Sequence, residues 1–163
     1  MTATQPQAEA TPNNINAFIK DYAESVDQGT AGQFLGFTDR NYYEIEMVAH
    51  NFYTQKRYSK AITILEGLLS LDRQRHYPLL LMGEVQMAKN NLDEALNYLQ
   101  EALEVEPTDA TTLLKLGELH IKAERPEEGK KVLTQLVEMK DLSGRARVKQ
   151  QRAEVILHTL QKH

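Results

Sequence analysis

The residues of this sequence with the most versatile chemistry are its five histidines, and their spacing forms no motif. They are His50, His76, His120, His158 and His163. A catalytic or metal-binding histidine needs a second ligand or a nucleophile at a matching spacing, as in His-Glu-x-x-His. No such spacing occurs, and the chain has no cysteine to serve as a thiolate nucleophile or metal ligand. We therefore expect no metal, no cofactor and no enzymatic activity.

Motifs that bind phosphate groups or activate a serine are absent as well. There is no P-loop, no Gly-x-Gly-x-x-Gly and no Gly-x-Ser-x-Gly. The net charge of −4 and the pI near 5.7 disfavour nucleic acid as a partner. The longest apolar run, 79–82, is far shorter than the roughly 20 residues of a membrane span. These features favour a cytoplasmic protein that binds other proteins.

The N-terminal region divides into a tail and a helix. Residues 1–14 read MTATQPQAEATPNN, which predicts a disordered tail and lacks the basic start and apolar core of a secretory signal. Residues 15–37 contain a short helix and a glycine-rich join. The helix carries Phe18, Ile19, Tyr22 and Val26 at helical spacing. This apolar face is a candidate dimer contact, and it could equally fold back onto the chain's own first repeat.

Small residues recur along the chain at an interval of 34 residues. Two columns are Ala49, Gly83 and Gly117, and Ala61, Ala95 and Gly129, and the second repeat adds Ala102 and Pro107. A 34-residue helix pair is the tetratricopeptide repeat. We predict an all-α solenoid in residues 38–143, with three repeats at 42–75, 76–109 and 110–143. A C-terminal capping helix follows at 144–163, because the end of a solenoid must be covered.

Packing explains why the recurring residues are small. The distance between two packed helices depends on the side chains at their contact. A glycine inside a helix costs about 1 kcal/mol relative to alanine. We expect close packing of the two helices of each repeat to offset that cost.

The tetratricopeptide pattern implies that certain positions on the first helix of each repeat face a concave groove. These positions hold Tyr43, Glu46, His50, Tyr53, Tyr77, Leu80, Glu84, Met87, Leu114, Glu118 and Ile121. Tyrosine and methionine are suited to varied peptide ligands. The alternative is that several of these side chains complete the packing between repeats. Glu46 and His50 occupy positions where carboxylate-clamping repeats use Lys and Asn, which disfavours a clamp for a C-terminal carboxylate.

Three stretches resemble the class II chaperones of bacterial type III secretion. They are GTAGQFLGFT (29–38), AHNFYTQKRYSKA (49–61) and LLLMGEVQMAKNNLDEALNYLQEAL (79–103). The resemblance implies a bacterial cytoplasmic chaperone that holds a hydrophobic translocator protein by an extended segment in the groove, and a homodimer supported by the N-terminal helix. Tyr53 and Tyr58 match aromatic positions of that family, whereas Glu46 and His50 replace positions that are often aromatic. The alternative is a general scaffold or adaptor in another bacterial envelope or motility assembly.

Overall fold

The computed structural model describes residues 15–29 and 31–162, with side chains from Lys20 onward, and its regular structure is entirely helical. The predicted disordered tail, residues 1–14, lies outside the described residues. The described helices are α1 (Ile15–Asp27), α2 (Ala31–Phe34), α3 (Asp39–Thr54), α4 (Tyr58–Leu71), α5 (His76–Ala88), α6 (Leu92–Val105), α7 (Ala110–Lys122), α8 (Pro126–Glu138) and α9 (Gly144–Leu160). The predicted all-α class is confirmed. None of these helices combines the length and apolar character that a bilayer crossing requires.

The chain forms two compact units that divide between Gln74 and Arg75. In unit 1, which ends at Gln74, α3 packs on α4, and α2 contacts both α1 and α4. In unit 2, which begins at Arg75, α5 packs on α6 and α7 on α8, while α6 also contacts α7. Helix α9 packs on α8 and α7 and closes the unit. The division lies one residue before the predicted boundary between the first and second repeats.

Each helix pair is joined by the same tight turn. Lys56, Asn90 and Glu124, which are 34 residues apart, have φ angles of 59°, 64° and 58°. In the first turn, the N–H of Lys56 donates to the carbonyl of Tyr53 and the N–H of Arg57 donates to that of Phe52, both at 2.8 Å. The other two turns repeat this pattern. Left-handed backbone with these two hydrogen bonds is the Schellman motif, which satisfies the carbonyls at a helix end and reverses the chain.

A different pair of side chains accompanies this turn in each of the three repeats. At the first turn, the guanidinium carbon of Arg57 lies 4.8 Å from the centroid of the Phe52 ring, a favourable cation–π distance. At the second turn, the amide of Asn91 donates to Gln86 Oε1 at 2.9 Å. The equivalent pair at the third turn is His120 and Arg125. The repeat therefore conserves the turn backbone while the buried side chain changes.

The recurring glycines lie where helices come closest. A methyl group on Gly83 would lie 2.7 Å from Cγ of Leu99, and one on Gly117 would lie 2.5 Å from Cγ of Leu133. Both distances are too short for carbon atoms, so the leucine of the second helix occupies the space that a side chain would need. At Gly129, a methyl group would lie 2.8 Å from Cγ1 of Ile121.

The alanines of the same columns are fully buried, and the proline is not. No surface of Ala49, Ala61, Ala95 or Ala102 is exposed. Pro107 lies exposed in the connection between α6 and α7. The small residues therefore act at helix contacts, whereas Pro107 lies after the end of a helix, where a proline cannot continue it.

Helix starts are capped in different ways. The hydroxyl of Thr38 accepts from the N–H of Asn41, and the Asn41 side chain accepts from the N–H of Thr38, a capping box that begins α3. Asp109 begins α7 by accepting from the N–H of Thr112 at 2.7 Å. Ser143 precedes α9 but its side chain makes no capping bond.

Gln150 fixes the last helix to its neighbour instead. Its amide is buried in unit 2 and lies within 2.8 Å of the carbonyl oxygens of Val137 and Met139 and 3.2 Å of that of Leu136. These carbonyls belong to the end of α8, where helical partners run out. One buried side chain thus satisfies the end of α8 and holds α9 in place.

We expect Gly117→Ala to lower the free energy of unfolding by about 1–3 kcal/mol, because overpacking displaces Leu133. The matched control is Gly67→Ala in α4, where nothing lies within 4 Å of the added methyl group. That variant should gain up to about 1 kcal/mol from helix propensity. Urea unfolding of both variants measures the difference, and an equal stabilisation by the two would contradict the steric explanation.

Candidate functional site

In unit 2, the predicted groove residues lie on α5 and α7, the first helices of two adjacent repeats. Polar side chains connect these two helices. The Lys115 Nζ on α7 lies 3.1 Å from Glu84 Oε1 on α5. The Lys122 Nζ donates to the backbone carbonyl of Met87 at 3.3 Å. On the C-terminal helix α9, Arg152 Nη2 lies 2.6 Å from Glu118 Oε1. The first helices of unit 2, α5 and α7, therefore each supply a glutamate that pairs with a cation, on α7 and on α9 respectively.

The carboxylates of this row are largely shielded from water. The side chains of Glu84 and Glu118 are 17% and 19% exposed, whereas that of Arg152 is 65% exposed. Shielded ion pairs of this kind are strongly destabilised when one partner is removed. The row offers hydrogen-bonding groups without a large net charge.

The predicted apolar residues of unit 2 differ in burial. Tyr77, Met87 and Ile121 are half-buried. Leu80 and Leu114 are only 6% and 4% exposed, because they pack into the interior of the fold. For these two leucines, burial favours the alternative that a groove position completes the packing between repeats.

In unit 1, the predicted residues form an aromatic cluster beside a buried carboxylate. The rings of His50 and Tyr53 have centroids 6.2 Å apart, and the Tyr53 and Tyr58 rings are also 6.2 Å apart. Tyr43 is 62% exposed, whereas Glu46 is 7% exposed. The structure therefore brings His50 and Tyr53 together, presents Tyr43 to solvent and withdraws Glu46 from it.

The predicted dimer helix contacts its own unit. The Tyr22 ring of α1 has its centroid 6.1 Å from that of Phe34 on α2. Even so, Tyr22 and Val26 remain 37% and 41% exposed. The side chains of Phe18 and Ile19 lie outside the described residues. Further exposed apolar residues of unit 1 are Phe34, Leu35, Met47 and Val48.

A polar cluster that the sequence pattern did not reveal lies in unit 2. His76, Glu106 and Asp109 present ligand atoms within 4.8 Å of one another. They come from the start of α5, the residue after α6 and the N-cap of α7. The sequence spacing hid the cluster, because Glu106 and Asp109 lie 30 and 33 positions after His76. The packing of α5 on α6 brings the start and the end of the second repeat together.

An open pocket of about 400 Å³ lies elsewhere in unit 2. Its lining residues are Leu103, Pro107, Thr108, Leu113, Gln135 and Met139. None of them is a predicted groove residue, and none carries a charge. The pocket therefore offers apolar contact and two uncharged polar side chains, Thr108 and Gln135.

His120 is a buried histidine rather than a site residue. Burial lowers the pKa of its imidazole below the ordinary value of 6.5, and the positive charge of Arg125 adds to this effect while Glu128 opposes it. A general base requires a substrate within hydrogen-bonding reach, and His120 is only 8% exposed. Protonation of His120 is therefore expected to change the free energy of unfolding.

Comparisons with known proteins were consistent with the repeat structure. The sequence profile of the tetratricopeptide repeat matches residues 52–100 and 87–153, which is more than half of the chain. No curated protein matches the chain in sequence.

Solved structures share the fold at low sequence identity. SycD of Yersinia enterocolitica, a type III secretion translocator chaperone, has a TM-score of 0.74 at 16% identity and covers 80% of this chain and 98% of its own. SycD bound to a peptide of the translocator YopD has a TM-score of 0.69 at 16% identity, covering 77% and 98%. A T3SS complex from Aeromonas hydrophila has a TM-score of 0.75 at 15% identity, covering 92% and 96%. SycD has also been solved as an alternative dimer.

We expect acid to destabilise the protein through His120. Because the folded state lowers the pKa of this group, its contribution to stability is intact above about pH 6.5 and declines as the pH falls through the lowered pKa. The slope for one group is at most about 1.4 kcal/mol per pH unit. His120→Gln, which places in the third repeat the residue found at Gln86, should reduce the slope of unfolding free energy against pH.

Urea unfolding at about pH 7.5 and about pH 5.5 measures this slope. The control is His158→Gln on the exposed surface of α9, which should leave the slope unchanged. The carboxylates are the same in the wild type and in both variants, so their contribution cancels when the slopes are compared. Equal slopes for the wild type and His120→Gln would show that burial of this imidazole is not the cause.

Proposed function

The chain belongs to the tetratricopeptide repeat family, and on this premise we propose that it is a non-enzymatic chaperone for a hydrophobic translocator protein of bacterial type III secretion. The observation that carries the proposal is the similarity to SycD bound to a translocator peptide, which extends over 77% of this chain. The bacterial cytoplasm is the proposed location, because such a partner must be held before its export.

The proposed binding surface in unit 2 is the face of α5 and α7 that bears Tyr77, Glu84, Met87, Glu118 and Ile121. An extended peptide has backbone N–H and C=O groups that need partners once water is excluded. The ion pairs of Glu84 and Glu118 on these helices can meet that need. Tyr77, Met87 and Ile121 supply apolar contact for the side chains of the ligand. This chemistry suits an extended, largely uncharged apolar segment.

The aromatic cluster of unit 1 is proposed to contact the same class of ligand. His50 and Tyr53 place two rings in contact, and rings give a large contact area at low cost in conformational entropy. Since Glu46 is buried, it serves the packing of unit 1 in this proposal and not the ligand. The more polar character that His50 introduces distinguishes this surface from an all-aromatic one.

We expect Tyr77→Ala and Met87→Ala each to weaken binding of the translocator by about tenfold or more, as truncation of a central contact residue does. The chaperone and the membrane-inserting protein encoded beside it are co-expressed, and the soluble complex is purified and titrated. The matched control is Tyr98→Ala, a half-buried tyrosine on the second helix of the same repeat.

The chaperone function and the binding surface can be contradicted by separate results. If the partner stays insoluble beside the wild-type chain, the chaperone function is wrong, and a scaffold role in another envelope or motility assembly gains support. If a soluble complex forms but Tyr77→Ala and Met87→Ala bind as tightly as Tyr98→Ala, the function stands and the binding surface lies elsewhere.

We also propose that α1 and α2 supply a homodimer contact. Tyr22, Val26 and Phe34 leave apolar surface exposed on these two helices, as does Leu35 in the turn after α2, and clustered apolar surface commonly marks an interface. The contact between Tyr22 and Phe34 within one chain gives the surface a defined shape and does not bury it.

Val26→Glu should convert the dimer into a monomer, because a charge would be buried at the contact. Size-exclusion chromatography with light scattering measures the mass of the full chain. Val148→Glu, at an exposed valine on α9, is the control and should leave the mass unchanged. A chain beginning at Gly29 tests the whole helix. A dimeric mass for both Val26→Glu and the shortened chain would rule out α1 as the contact.

A further inference from the structure

The contacts around His76, Glu106 and Asp109 define which of their polar atoms carry a hydrogen. The hydroxyl and the backbone N–H of Thr112 both donate to Asp109 Oδ2, at 2.8 and 2.7 Å. The Thr112 oxygen also lies 2.9 Å from His76 Nε2. Because the hydroxyl hydrogen is already given to the carboxylate, the imidazole must be the donor in this contact. His76 therefore carries a hydrogen on Nε2.

In the neutral imidazole, this assignment leaves His76 Nδ1 as the nitrogen with a lone pair, and that nitrogen faces a carboxylate. Glu106 Oε2 lies 3.7 Å from Nδ1. The distance is too long for a hydrogen bond, and two acceptors that face each other gain nothing from the approach. The imidazole side chain is 11% exposed and the Glu106 side chain is 58% exposed. A cation between the two atoms would turn this contact into a favourable one.

The separation fits a metal ion. With Zn–N and Zn–O bonds of roughly 2.0–2.2 Å in tetrahedral geometry, two ligand atoms lie about 3.4 Å apart. The observed 3.7 Å between Nδ1 and Oε2 is close to this value. The other side of the ring also matches a metal-binding histidine, whose second nitrogen usually donates to an acceptor that fixes the ring. Here the Thr112 hydroxyl accepts a hydrogen bond from Nε2–H and donates one to Asp109 Oδ2.

We propose that this cluster is a zinc site, with His76 Nδ1 and the Glu106 carboxylate as direct ligands. The Asp109 carboxylate, whose Oδ2 lies 3.7 Å from His76 Nε2 and accepts from Thr112, holds the imidazole through Thr112, and water completes the coordination. A mixed nitrogen and oxygen set suits zinc and disfavours magnesium, which is bound by oxygen ligands.

Bound zinc would join the start of α5 to the residue that follows α6. The ion would thereby hold the two ends of the second repeat together. This role does not depend on the translocator or on the groove residues, so the two proposals stand or fall separately.

Equilibrium dialysis of the untagged full chain against zinc chloride, with metal analysis, tests the site. One zinc ion per chain should bind, and excess zinc should raise the thermal unfolding midpoint, since a ligand of the folded state stabilises it. His76→Gln and Glu106→Gln should each weaken zinc binding by at least about tenfold and abolish the rise in midpoint. Magnesium chloride should produce no rise.

Matched controls separate this site from other histidines and carboxylates. Glu104→Gln changes an exposed glutamate two residues from Glu106, and His158→Gln removes an exposed histidine of α9. Both should bind zinc as the wild type does. Glu106 is exposed, so Glu106→Gln tests the site even if His76→Gln fails to fold. The proposal is overturned if the wild type binds no zinc, as a proton between the two groups would predict. It is equally overturned if Glu106→Gln binds zinc like the wild type.

Discussion

The close approach of paired helices at glycine is the constraint on which the rest of unit 2 depends. Leu99 and Leu133 occupy the space that a side chain at Gly83 or Gly117 would fill. Because interiors pack at crystal-like density, this contact sets how near the two helices of a repeat lie. That spacing in turn fixes where α5 and α7 present their outward residues.

Successive repeats are then joined by polar contacts that follow the same period. Glu84 of α5 pairs with Lys115 of α7, and Glu118 of α7 pairs with Arg152 of the C-terminal helix α9. At the other end of the helices, His76 reaches the N-cap of α7 through Thr112. The last helix uses Gln150 to satisfy the end of α8. The proposed ligand surface and the proposed zinc site both lie beside these junctions between repeats.

Local features of the chain were predictable because they depend on short-range rules. The 34-residue columns of small residues indicated helix pairs, and the structure places helices and turns at those intervals. The left-handed conformations of Lys56, Asn90 and Glu124 were not predicted, since none of them is the glycine that usually signals this conformation. The cluster around His76 was missed for a related reason: metal motifs are recognised at short spacing, and this one is assembled across a repeat.

Burial separated residues that the repeat pattern treated alike. Leu80 and Met87 occupy groove positions of the same helix, yet Leu80 is buried and Met87 is half-buried. Glu46 and Glu84 are both acidic groove positions, but they differ in exposure.

The sequence by itself determined the helical class, the repeat length and the positions of small residues, because these follow from periodicity and side-chain size. Only the tertiary structure decided which groove positions remain accessible, which carboxylates are paired, and that the histidine at the start of the second repeat meets carboxylates at its end. Those properties depend on distances between residues far apart in the chain, and packing alone sets such distances.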